Sequence, residues 1–157
     1  MTMPTNASNA LDNPPMPVQA KLAAAWTSFM FLYIYVDYFH LHKPGVIDSL
    51  RAGHVFTFEI SPTVLTAMLA SVAIPAMMVT LSAALPARAN RVTNLVVATL
   101  YIPYSLFNAV GETWTWAFFY GLSIGLELLL LAFILRSAWT WPRAFAPIAR
   151  ATADLRS

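Results

Sequence analysis

The chain has 157 residues and no cysteine; 59% of it is hydrophobic and only 10% charged. A soluble domain is about 45–50% apolar and about 25% charged, so the composition excludes an ordinary soluble globule, a disordered chain and a disulfide-stapled module, and leaves an integral membrane protein. The formal net charge of +2 does not point to nucleic acid, because the nine Lys and Arg residues are scattered and mostly flank apolar runs, with no basic stripe or base-reading motif.

In chain order, residues 1–19 hold Pro4, Pro14, Pro15 and Pro17 among Asn, Thr and Ser, and read as a disordered tail. The apolar run that follows is too long for a signal peptide and reads as a retained span. Four spans are predicted, over about 20–40, 61–83, 94–115 and 117–136, with Pro75 inside the second and Pro103 inside the third. Each has roughly the 20 residues needed to cross a hydrocarbon core of about 30 Å. Both prolines should kink their helices, which is tolerated where neighbours satisfy the freed carbonyls. The membrane domain is therefore 20–136, an all-α four-helix bundle. Its first loop is long, with a short interfacial segment over 46–58; its third loop is very short. Residues 137–157 form a basic tail. Lys21, Arg88, Arg91, Arg136, Arg143, Arg150 and Arg156 fall on one side and Lys43 and Arg51 on the other. Seven against two places both termini in the cytoplasm and the first loop outside.

Polar residues inside spans are the informative ones, because each is costly in hydrocarbon. Projected at about 100° per residue, Asn94, Tyr101, Tyr104, Ser105, Asn108, Glu112 and Thr115 share one face of the third span. Trp26, Tyr33, Asp37 and His40 share a face of the first. Glu59, Thr63, Thr66, Ala70 and Ala73 share a face of the second. In the fourth, Tyr120, Ser123 and Glu127 share one face, while Gly121, Gly125 and Ala132 lie opposite. Gly121-x-x-x-Gly125 is a spacing that lets helices approach closely, and it is the expected contact with a second copy or a membrane partner. At 1.5 Å per residue Glu127 lies roughly 17 Å below the hairpin turn, near mid-membrane.

The leading reading is accordingly a protein that binds or translocates a small molecule, a lipid-like ligand or a proton through a polar interior centred on Glu127. Tyr33, Tyr101, Tyr104 and Ser105 stand around it, and Asp37, His40, Asn108 and Glu112 form an outer vestibule. His40, Glu112 and Asp37 are also the candidates for a metal site, though in no recognised ligand spacing. The same outer His/carboxylate cluster is the basis of an alternative reading, a small membrane enzyme or redox accessory. A third reading makes the polar faces interhelical glue in a structural subunit. No phosphate loop, dinucleotide fingerprint or nucleophile elbow is present, so neither a catalytic residue nor a cofactor is identified.

The run Tyr33-Ile34-Tyr35-Val36-Asp37-Tyr38-Phe39-His40, the Pro44-Gly45 pair and Tyr101-x-x-Tyr104-x-x-x-Asn108 with Glu112 resemble an uncharacterised family of small bacterial four-helix membrane proteins. In helix number and size these are similar to the DoxX-like group, some of whose members have redox or quinone partners. The resemblance covers about 21–136. It implies a bacterial inner-membrane address and assigns no activity.

Overall fold

A computed structural model describes residues 14–142. Helix α1 is Val18–His40, followed by a short α2, Val46–Arg51, and a two-stranded antiparallel hairpin, β1 (His54–Val55) and β2 (Phe58–Glu59). Helices α3 (Pro62–Ala84), α4 (Ala87–Phe107) and α5 (Ala117–Trp139) complete the order, with one 3₁₀ turn at Trp114–Trp116 leading into α5. Among the described residues α1, α3 and the stretch Trp114–Trp139 are long and apolar enough to cross a membrane. The chain is therefore a mostly helical protein compatible with membrane insertion.

Local chemistry sets the boundaries. Gly45, with φ +84°, takes a left-handed turn from Pro44 into α2, a conformation in which a Cβ would be strained. Ser61 caps α3 by accepting from the Val64 amide at 3.3 Å, with Pro62 in the first turn, where its missing N–H costs nothing. Pro86 stands at the N-cap position of α4, in an extended conformation and without a side-chain cap. The turn between α3 and α4 is sealed by Asn90, whose Nδ2 donates to the carbonyls of Ser82 (2.6 Å) and Leu85 (3.4 Å). Helix-end carbonyls lack intrahelical partners, so a buried amide here satisfies groups that would otherwise be left unpaired.

Helix α1 packs against α3 and α5, and α4 packs against α5, while α3 and α4 meet more sparingly. The side chains of α1 and α4 meet across the centre. Apolar burial gives helices little cause to associate within lipid, so cohesion there rests on close packing and interhelical hydrogen bonds. Both are present. Trp26, Phe29 and Tyr101 make edge-to-face pairs with ring centroids 5.6–6.2 Å apart. Asn94 is the hub of a fully buried network: its Oδ1 accepts from Trp26 Nε1 at 2.7 Å and Ser82 Oγ at 3.3 Å, and its Nδ2 donates to Asn90 Oδ1 at 2.7 Å.

Pro75 has no N–H to give the Ser71 carbonyl one turn earlier. Tyr101 of α4 supplies the missing donor, its hydroxyl reaching that carbonyl at 2.5 Å. A polar side chain on one helix thus makes a proline tolerable on the next.

Three expectations need correction. The third helix does not run over 94–115. It begins at Ala87 and ends at Phe107, because Pro86 starts it early and the turn at Gly111, φ +87°, ends it early. The third loop is consequently not minimal: residues 108–116 separate α4 from α5, and Glu112 and Thr115 leave the helical face on which they were projected. The polar face of the second span does not turn inward either. Thr63, Thr66, Ala70 and Ala73 are exposed, and α3 buries Pro75, Met78 and Ser82 instead. Thr66 meets its own need by donating to the Pro62 carbonyl at 2.7 Å, so its hydroxyl never required an interior. The predicted tails lie largely outside the described residues.

Candidate functional site

The inward face of α4 carries Asn90, Asn94, Ala98, Tyr101 and Ser105, spaced three and four apart and buried. The facing stripe of α5 is Tyr120, Ser123, Glu127, Leu131 and Ile134. These stripes, with the C-terminal half of α1, define a polar column in three tiers.

The deepest tier is Glu127 with Ser105. Glu127 is 2% exposed and Ser105 is fully buried. Ser105 Oγ and Glu127 Oε2 are each buried without a hydrogen-bond partner. Buried polar atoms without a well-formed hydrogen bond are unusual, because each forfeits its hydration without full replacement.

The middle tier joins α1 to α4. The hydroxyls of Tyr33 and Tyr104 are 3.0 Å apart and their rings stack at 6.3 Å. Asn108 Nδ2 donates to the Tyr33 hydroxyl at 3.4 Å. Tyr101 belongs to the same aromatic run, 5.4 Å from Tyr104 between ring centroids, but its hydroxyl is committed to Ser71.

The outermost tier closes the column. Lys43 Nζ donates to Glu112 Oε2 at 2.6 Å and to the Tyr120 hydroxyl at 3.2 Å, and it sits 5.4 Å from the Trp116 ring centre. His40 Nδ1 lies 2.6 Å from the same Tyr120 hydroxyl. An ammonium can only donate, so the Tyr120 oxygen accepts from Lys43. The Lys43 and Glu112 side chains are only 14% and 18% exposed. Burial acts to raise the Glu112 carboxyl, but hydrogen bonds from Lys43 and Tyr120 and the lysine charge outweigh it and hold the group below the ordinary carboxylate range.

The structure brings His40 and Glu112 into one cluster, with Lys43 and Tyr120 between them. Asp37 stays exposed on α1 and does not join His40. Among the described residues no three His, Asp or Glu side chains converge as a metal site would need, and Lys43 occupies the position a cation would take. Lys43 escaped the sequence reading, where it counted only as a topology charge. The available signal was its pairing potential: one cation just after α1 and one carboxylate in the loop before α5, with Trp116 and Tyr120 alongside.

A family model matches residues 17–145. The chain belongs to DUF6326, a family of unknown function. The match agrees with the resemblance to an uncharacterised family and spans the whole polar column. No curated protein and no solved structure matches the chain.

Proposed function

We propose that this DUF6326 protein is a multi-pass protein of the cell membrane that binds or passes a small hydrogen-bonding ligand or proton through the column, with Glu127 at its floor. In this reading α4 is the fourth membrane span, its polar stripe shielded by α1 and α5 and its exposed Val92, Val96 and Leu100 facing lipid. Both termini lie on the cytoplasmic side. Support for that orientation comes from Lys21, Arg88, Arg91 and Arg136, which gather where α1 and α4 begin and α3 and α5 end.

The observation that carries the reading is the buried pair Glu127 and Ser105, whose Oε2 and Oγ find no partner beyond each other. Among the described residues Glu127 forms no ion pair and its one polar neighbour is the Ser105 hydroxyl, so its carboxyl stays open to a proton or a ligand, as an ionisable group inside a span commonly is. The outer tier acts as a lid on the column: its charges are spent on one another, which favours closure over acid–base chemistry at His40.

The test is proton uptake into proteoliposomes under an imposed potential, together with native mass spectrometry for retained ligand. Glu127→Gln is expected to abolish flux or retention with the helical signal unchanged, and Ser105→Ala to weaken it. Wild-type protein showing neither flux nor ligand would leave the structural-subunit reading in its place.

A further inference from the structure

A second feature lies outside the column, at the opposite end of the molecule. There α4 and α5 leave a surface groove of about 470 Å³ lined by Leu95, Thr99, Leu135, Arg136, Trp139 and Thr140. Its wall is mainly apolar, and an exposed guanidinium stands at its edge. Arg91 adds a second cation beside it: its guanidinium lies 5.8 Å from the Trp139 ring centre, and its Nε is buried without a hydrogen-bond partner. Among the described residues no acid lies at this end. Asp37, Asp48, Glu59 and Glu112 are at the other, and Glu127 is in the middle of α5. Neither Arg91 nor Arg136 forms an ion pair with a described residue.

We propose that this groove holds one anionic phospholipid, its phosphate on Arg136 and Arg91 and its upper acyl chain along Leu95, Leu135 and the Trp139 ring. The inference rests on the membrane reading above. Charge complementarity selects an anionic headgroup. The apolar wall selects a lipid over free phosphate, since a soluble anion would leave Leu95 and Leu135 uncovered. The place is also right, because a Trp and an Arg in the last turn of a spanning helix lie at headgroup depth.

The test uses the full chain reconstituted in equal phosphatidylglycerol and phosphatidylcholine, released into mild detergent and weighed by native mass spectrometry. One phosphatidylglycerol is expected to remain in preference to phosphatidylcholine. Arg136→Gln should lower its retention about fivefold, the value of one basic residue near an anionic surface. Thr99→Phe, which fills the groove and keeps every charge, should displace it. Arg88→Gln, at the same end but off the groove, should leave retention unchanged. Equal retention of the two lipids overturns the proposal. So does a loss with Arg88→Gln as large as with Arg136→Gln, which would mean diffuse attraction, or a dimer that forms as the lipid departs, which would put a second copy in the groove. Carbonate extraction separates the two levels: a chain released by carbonate refutes the membrane reading, whereas one that stays embedded without phosphatidylglycerol refutes this site alone.

Discussion

Replacing Asn94 by leucine keeps the side chain's approximate volume and removes the hub of the buried network. Not every partner suffers. Ser82 Oγ can turn to a carbonyl of its own helix, and the Asn90 carbonyl keeps its helical bond. Two groups are stranded: the indole N–H of Trp26 and the Oδ1 of Asn90. Interhelical hydrogen bonds within membranes are worth about 0.6–1.7 kcal/mol each, so the substitution should cost about 1–3.5 kcal/mol. Trp26→Phe removes one donor and leaves Ser82 on Asn94, and should cost about 1 kcal/mol from the lost bond. Because the two substitutions remove the same bond, the double variant should fall short of their sum by about 0.6 kcal/mol or more. Unfolding of detergent-solubilised protein with increasing denaturing detergent, followed by circular dichroism, supplies all three values. Strict additivity, or an Asn94→Leu protein within about 0.5 kcal/mol of wild type, the usual range for an unimportant surface change, would refute the network as a source of stability.

The lid should respond to acid and to charge removal. The Glu112 carboxyl is held below its unfolded value, so its contribution is complete above that value and is lost as pH falls through the lowered one. The thermal midpoint should therefore be flat above about pH 5 and decline below about pH 4, and Glu112→Gln should remove that decline. Lys43→Met should lower stability by about 1–3 kcal/mol, because it leaves Glu112 partly buried beside Tyr120 without its cation; hydrogen exchange should then quicken in residues 108–116. Gly45→Ala meets no atom within 4 Å, so its cost is purely that of the left-handed backbone, about 1–2 kcal/mol by thermal melting; an unchanged midpoint would show that the turn is not held at positive φ.

Long apolar helices were legible in the sequence from composition and run length, and the inward face of α5 from periodicity, since Tyr120, Ser123 and Glu127 share a face at helical spacing. The N-terminal part of the α4 face was legible for the same reason. What failed was whatever periodicity does not encode. A projection cannot know that Pro86 starts a helix early or that Gly111 has already ended it, so Glu112 was assigned to a helical face instead of a turn. Thr66 misled because a threonine hydroxyl can be satisfied by its own helix. Lys43 was overlooked because its partners lie in the third loop and α5, and only the folded chain brings Tyr120 and Glu112 to it.

The contact of Tyr101 with the Ser71 carbonyl has a historical consequence. The hydroxyl at position 101 is needed because position 75 is proline; with an ordinary residue there, α3 would close its own ladder and Tyr101→Phe would cost little. The order of substitution then matters. A lineage can lose the proline first and the hydroxyl afterwards at little penalty, but the reverse order passes through a helix with an open, unpaired carbonyl. Positions 75 and 101, on different helices and 26 residues apart in the chain, should therefore be inherited as a pair.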